Sequence, residues 1–385
     1  EFYSEKVGEY PYPQATAVQT TLGAGGGMEY PMVTNIGGVG SAESLDMVIT
    51  HEVGHNWFYG ILASNERDHA WMDEGLNSYY EERYAQTYYT DSEGDGAIDY
   101  LLRSTPMNER EFGYLFQARR HLHQPPETHS NAFKPINYLV SAYILPPLAL
   151  DLLEGYAGTQ ALDSAMYAYY QRWQFRHPQP GDLQQSLEEA LEQDLDWLFG
   201  GVMDSKGHID YAITKVENQS QSYRVEVANR GTIESPVALS IVKGDTVVAT
   251  TWSKGFSGKR TLRIDKTAGD LLVLDAERHA PELYRRNNYY RLDGPLKWIR
   301  RPDFTFLPAA TNDTRGNILW SPALGWNNYD KLMAGLTLSN HTLPEQRLEW
   351  RAAPMYGFGS RDLTGLGALH YNIYPRKQGV VHRIR

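Results

Sequence analysis

Residues 44–62 read SLDMVITHEVGHNWFYGIL, and this run decides the fold. Its apolar spacing is helical, and a helix returns side chains four positions apart to one face. His51 and His55 form such a pair, so two imidazoles reach one zinc ion. Glu52, one step round, faces the open side of that ion and is placed to take a proton from a bound water. A pentapeptide of this kind also arises as two histidines decorating a surface helix, so a second segment must supply the missing ligand.

Residues 70–84, AWMDEGLNSYYEERY, are that segment. They are helical in pattern and place Glu74 with eighteen residues between it and His55. Two histidines and one glutamate leave the fourth zinc position to water, the open site that catalysis needs. Asp73, Glu81 and Glu82 compete for the ligand role but read as solvated helix charge. Upstream, residues 25–34 read GGGMEYPMVT. Glycines let an extended backbone pass close to a ligand, but the carboxylate of Glu29 would repel a phosphate and suits a cation.

Together these motifs resemble the aminopeptidase-N-like gluzincins, the M-one family of zinc metallopeptidases. The resemblance rests on HEVGH, the spacing to Glu74 inside a W-x-x-E-G context, and HNWFYG, which is similar to the family's HQWWG. It rests also on Gly26, Gly27, Met28 and Glu29, twenty-two positions before His51, where the family has Gly-x-Met-Glu-Asn. It covers about the first 200 residues and implies a thermolysin-like catalytic domain. It further implies that His51, His55 and Glu74 hold one zinc ion and that Glu52 is the general base. Glu29, with the Gly26–Met28 backbone, would bind the free α-ammonium of a peptide. The family's oxyanion-stabilising tyrosine aligns with Tyr143 rather than Tyr138 in NYLVSAYILPPLALDLLEGYAG. Three departures stand out: Tyr30 replaces Asn, Leu145 replaces the usual Lys, and the N-terminal β domain that helps build the family's substrate pocket is missing.

The chain has 385 residues, a formal charge of −11 and no basic block, which argues against nucleic acid as a partner. With no cysteine, disulfides and thiolate metal sites are excluded. No signal peptide and no initiator Met are visible at Glu1, so a processed or truncated piece is expected. The most apolar run, 136–156, holds Pro146 and Pro147 and reads as a buried helix starting near them, not a membrane span.

Composition then divides the chain into an α+β multidomain protein. Residues 1–205 form a mainly helical catalytic domain. Residues 206–295 are short β-branched strands, expected as an immunoglobulin-like β-sandwich with KGD as a hairpin turn. Residues 296–385 are a β-rich tail of roughly ten-residue segments, in which Trp350 and Ala352 alternate with Glu349 and Arg351. That tail reads equally as the start of an outer-membrane barrel or as a soluble antiparallel sheet; three such strands could not close a barrel. HLHQPPETH gathers His121, His123 and His129 in a loop expected to be exposed rather than a second metal site.

The function expected is a zinc-dependent aminopeptidase acting on peptides. A zinc endopeptidase, with Glu29 only structural, is the rival within enzymology. A membrane-associated scaffold or transport component with a vestigial peptidase fold is the rival outside it. A barrel-forming tail would imply a bacterial outer membrane, with the peptidase periplasmic or surface-facing.

Overall fold

A computed structural model describes all residues except 23–25, 39, 90–95, 374–382 and 385, and the backbone alone at 383 and 384. Gly25, the first residue of the quoted glycine loop, therefore lies outside the described residues. Near the N-terminus, β1 (Thr16–Gln19), β2 (Gly27–Met28) and β3 (Val33–Ile36) form a sheet in the order β1-β3-β2. β1 runs parallel to β3 and β2 antiparallel to it, which leaves β2 as an edge strand.

Three helices follow that matter for the site. The histidine helix, Ala42–His55, starts where the Ser41 hydroxyl accepts the Ser44 amide at 3.1 Å, a side-chain N-cap. The glutamate helix runs from a wide turn, Trp71–Gly75, into Leu76–Tyr88. The tyrosine helix runs from a similar wide turn, Leu139–Ile144, into Leu145–Ala157, with Pro146 and Pro147 directly after the wide turn. The run Pro135–Ala157 is long and apolar enough to cross a membrane, but Leu148, Ala149, Leu150, Leu152 and Leu153 are buried in the protein's own core. It is a core helix, as its sequence suggested.

The next seven strands are β4 (Tyr211–Asn218), β5 (Ser222–Asn229), β6 (Val237–Lys243), β7 (Thr246–Ser253), β8 (Lys259–Asp265), β9 (Leu271–Leu274) and β10 (Tyr289–Arg291). They form one three-stranded sheet, β4-β5-β8, and one four-stranded sheet, β10-β9-β6-β7. Every pairing is antiparallel. Alternate apolar residues such as Val225, Val227, Leu239 and Ile241 share one buried cluster, so the two sheets enclose a common core. The expected KGD turn is present, with Lys243 paired to Thr246 and Gly244 at φ 60°.

The tail forms a six-stranded sheet: β11 (Pro302–Phe306), β12 (Gly316–Asn327), β13 (Lys331–Ser339), β14 (Leu348–Gly357), β15 (Asp362–Asn372) and β16 (Arg383–Ile384), in sequence order. Among the described residues this sheet is open, with no pairing between its outer strands. The closed barrel is therefore not seen. The expected alternation is: Trp350 pairs with Leu369, and Glu349 pairs with His370 one position along, on the other face.

Candidate zinc centre

The histidine and glutamate helices meet because two small contacts let them. A Cβ on Gly54 would stand 2.0 Å from Asn77 Oδ1, so only glycine admits that approach. Asn77 uses it, donating from Nδ2 to the His51 carbonyl at 2.7 Å. On the far side, a Cβ on Gly75 would meet Pro146 at 2.7 Å and the Ala142 carbonyl at 2.9 Å. That clearance draws the tyrosine helix against the residue following Glu74.

The result is a triangle of ligand atoms. His55 Nε2 lies 3.1 Å from His51 Nε2, and Glu74 Oε2 lies 3.2 Å from the His55 nitrogen and 3.4 Å from that of His51. A tetrahedral zinc with bonds of 2.0–2.1 Å has ligand–ligand edges of about 3.3 Å. His51, His55 and Glu74 therefore fit zinc without rearrangement. The charges agree. Against the cost of burial, Glu74 and Glu81 draw the His51 imidazole up to about 9. Although burial opposes it, the histidines hold Glu74 down to about 2. Each shift shows these carboxylates drawing positive charge to the spot a metal would fill.

Behind the ligands stand two acids. Asp73 Oδ1 is 2.6 Å from His55 Nδ1, and Glu81 Oε2 is 3.3 Å from His51 Nδ1. Both were expected to be solvated helix charge, and that expectation is corrected. Asp73 is 2% exposed, and the two fix the orientation of the imidazoles, as carboxylates behind metal-bound histidines do. Arg110 pairs with Glu81 at 3.7 Å and Glu82 at 2.9 Å. Glu82 contacts no ligand and keeps the peripheral place the sequence suggested.

Glu52 is buried, with Oε2 lacking any hydrogen-bond partner, and burial raises its carboxyl to about 7. The glycine loop lies directly against it: a Cβ on Gly27 would stand 2.2 Å from the Glu52 carboxyl. The loop is tied to the histidine helix as Met32 donates its amide to Asn56 Oδ1 at 2.8 Å. Glu29, just past β2, has a carboxylate oxygen within 4.8 Å of those of Glu66 and Asp73. Arg67 reaches Glu66 only at 3.9 Å, so three carboxyl groups gather beside the zinc triangle, and burial raises those of Glu66 and Asp73. Glu66 went unnoticed in the sequence, where nothing separates it from any loop acid. Tyr30 points to solvent, 54% exposed.

Tyr143 stacks on His51, ring centroids 6.0 Å apart, and donates its hydroxyl to Glu74 Oε1. Burial and Glu74 raise its pKa, so the phenol keeps its proton. Tyr138 lies behind it, 5.6 Å from the Tyr143 ring, so Tyr143 is the nearer of the two to the triangle. The histidine loop is less exposed than expected, with His129 alone of its three histidines exposed. His123 is 1% exposed, and burial lowers its pKa to about 4. The loop packs onto the tyrosine helix, where Ser141 donates to the Gln124 carbonyl at 2.6 Å.

Residues 7–204 match the Peptidase family M1 domain. Over 303 residues the chain is 23% identical to "Probable aminopeptidase 1" of Sulfurisphaera tokodaii, covering 75% of this chain and 36% of that protein. Over 201 residues it is 23% identical to the human "Endoplasmic reticulum aminopeptidase 2", covering 51% of this chain and 20% of that protein. In fold it is similar to Legionella pneumophila aminopeptidase A, solved with aspartic acid, at a TM-score of 0.56 and 13% identity. That similarity covers 73% of this chain and 33% of the Legionella protein. The chain thus spans about a third or less of the length of these relatives. With the family domain matched over half of its residues, the chain belongs to peptidase family M1.

Proposed function

We propose that this chain carries the catalytic centre of a zinc aminopeptidase that removes N-terminal residues from peptides. One observation carries the reading: a zinc-fitting His51–His55–Glu74 triangle with the Glu29, Glu66 and Asp73 carboxylates gathered at its side. A single bound zinc would supply a water of lowered pKa and polarise the scissile carbonyl. Glu52, held near neutrality by burial, takes the proton of the attacking water and passes it to the leaving amine. Tyr143, protonated and aimed into the site, donates to the developing oxyanion. The edge strand β2 offers backbone groups to an extended peptide. Glu29 and Glu66 then receive its ammonium, setting the first peptide bond over the metal.

Hydrolysis of matched free and N-acetylated peptides tests this. The free peptide should be cleaved and the acetylated one ignored. Glu29→Gln should narrow that preference, and Glu52→Gln should cut turnover by about 10²–10⁴ with zinc retained. Equal cleavage of both peptides would make the chain an endopeptidase. Bound zinc without cleavage of either would favour the vestigial scaffold.

We propose further that the tail sheet contacts lipid, as the wall of an outer-membrane barrel that additional strands complete. Its support is the face carrying Trp320, Leu324, Trp326, Leu336, Trp350 and Leu369, which holds no charged side chain within β12–β15. Five of those six are more than a third exposed. Under that reading the peptidase is periplasmic or surface-facing.

A further inference from the structure

The six-stranded tail sheet has a second face, and at one end of it three metal-binding side chains converge. Glu349 on β14 and His370 on β15 are directly opposed residues, so their side chains leave the sheet side by side. His341 comes from the connection between β13 and β14, and its ring lies over that of His370 at 5.9 Å between centroids and 28° between planes. One ligand atom from each of His341, Glu349 and His370 lies within 4.8 Å of the other two. We propose that these three residues form a second metal site, for a divalent first-row transition ion such as zinc, remote in sequence from the peptidase centre.

The donor set favours that class of ion. Two imidazoles and one carboxylate suit zinc and its neighbours, whereas calcium and magnesium prefer oxygen ligands throughout. The residues are held before any ion arrives. Asn340, next to His341, donates from Nδ2 to the Leu348 carbonyl at 2.9 Å and accepts the Trp350 amide at 2.7 Å. Its own amide donates to the Trp350 carbonyl at 3.2 Å. The connection is thereby fastened to β14 on both sides of Glu349, and the strand ladder fixes His370 opposite it. Glu349 is 2% exposed, and His370 Nδ1 is buried without a hydrogen-bond partner. A buried carboxylate beside two imidazoles gains more from a shared cation than from water.

Such an ion would clip the loop of residues 340–347 to two strands. That loop joins the tail to the rest of the protein: Gln346 pairs with Arg286, and Glu345 with Arg120 at 3.2 Å. The role inferred is structural, and the inference does not depend on the proposed peptidase activity.

Metal content after equilibration with Zn²⁺ and passage over a mild chelating resin tests it. The wild-type chain should retain about two zinc ions, and His370→Asn about one, with peptide hydrolysis unchanged. His55→Asn should also retain about one, held in the tail. Added Zn²⁺ should raise the melting temperature of His55→Asn, and a further His370→Asn change should remove that rise. Glu349→Gln serves as a second variant should His370→Asn fold poorly. Were the peptidase centre to bind no zinc, the wild type would hold about one ion, lost with His370→Asn and kept with His55→Asn. Equal zinc in the wild type and in both tail variants would overturn the proposal.

Discussion

Asp73 precedes a zinc-fitting glutamate in the chain and yet faces away from the zinc position, toward the back of His55. Its carboxylate fixes which imidazole nitrogen is left for the metal, so its loss should weaken the centre without removing a ligand. Asp73→Asn is expected to lower zinc affinity by about 10–100-fold, measured by competition with a chelator, with the fold intact by circular dichroism. Unchanged affinity would reduce Asp73 to a buried pair. At this scale the zinc-fitting triangle was legible in part from helix geometry, which sets His51 and His55 four apart on one face, and in part from the spacing and W-x-x-E-G context that singled out Glu74. The acids behind them were not. Asp73, Glu81 and Glu82 are chemically alike in the sequence, and only the packing of a second helix makes two of them orienting groups. A trace of signal exists, since Glu74, Asn77, Ser78 and Glu81 follow helical spacing, and three of these four are buried.

At the scale of elements, the centre depends on how closely three helices approach, and glycine sets that distance. A Cβ on Gly75, the residue after Glu74, would run into Pro146 and the carbonyl of Ala142, the residue before Tyr143. Gly75→Ala should therefore push the tyrosine helix away, costing about 1–3 kcal/mol of stability by overpacking. It should lower kcat with little change in KM, because Tyr143 acts on the transition state; both constants unchanged per folded molecule would make the contact only structural. The helix-to-sandwich contact offers a pH test. His279 packs on Gly155 and pairs through Nδ1 with Asp151 at 3.1 Å. Against burial, Asp151 and neighbouring acids raise the imidazole from 6.5 to about 9. The charged ring is thus favoured in the folded state, so its contribution is full below about 6.5 and is lost as pH rises through about 9. His279→Gln should remove that part of the pH dependence of the melting temperature; identical wild-type and variant profiles would refute it. The strands of this region were easily read from β-branched alternation, whereas a contact such as Gly155 with His279 joins residues more than a hundred positions apart and leaves no local pattern.

Across the whole molecule, the tail poses the largest energetic question. Strand alternation was visible in the sequence, but alternation cannot say what covers each face, and an exposed apolar sheet satisfies the same pattern as a lipid-facing one. The register now supports the lipid reading. Trp320 and Trp326 on β12 stand six positions apart, as do Trp350 and Tyr356 on β14, so two aromatic rows lie about 20 Å apart along the strands. Between them sit Leu324, 79% exposed, and Leu336, in the position of the apolar band of an outer-membrane wall. An open sheet leaves backbone groups unpaired at its edges, which is why the proposal requires more strands than are seen here. Lysines placed mid-band should oppose burial in hydrocarbon by about 2–4 kcal/mol each. A chain carrying the strands that complete the barrel is therefore expected to float with phosphatidylethanolamine–phosphatidylglycerol vesicles, its tryptophan emission quenched by brominated acyl chains. The Leu324→Lys, Leu336→Lys variant should stay in the aqueous fraction while hydrolysing peptides at the wild-type rate. If both proteins partition alike, or if the wild type instead forms a dimer in buffer and ignores the vesicles, the face is covered by something other than lipid.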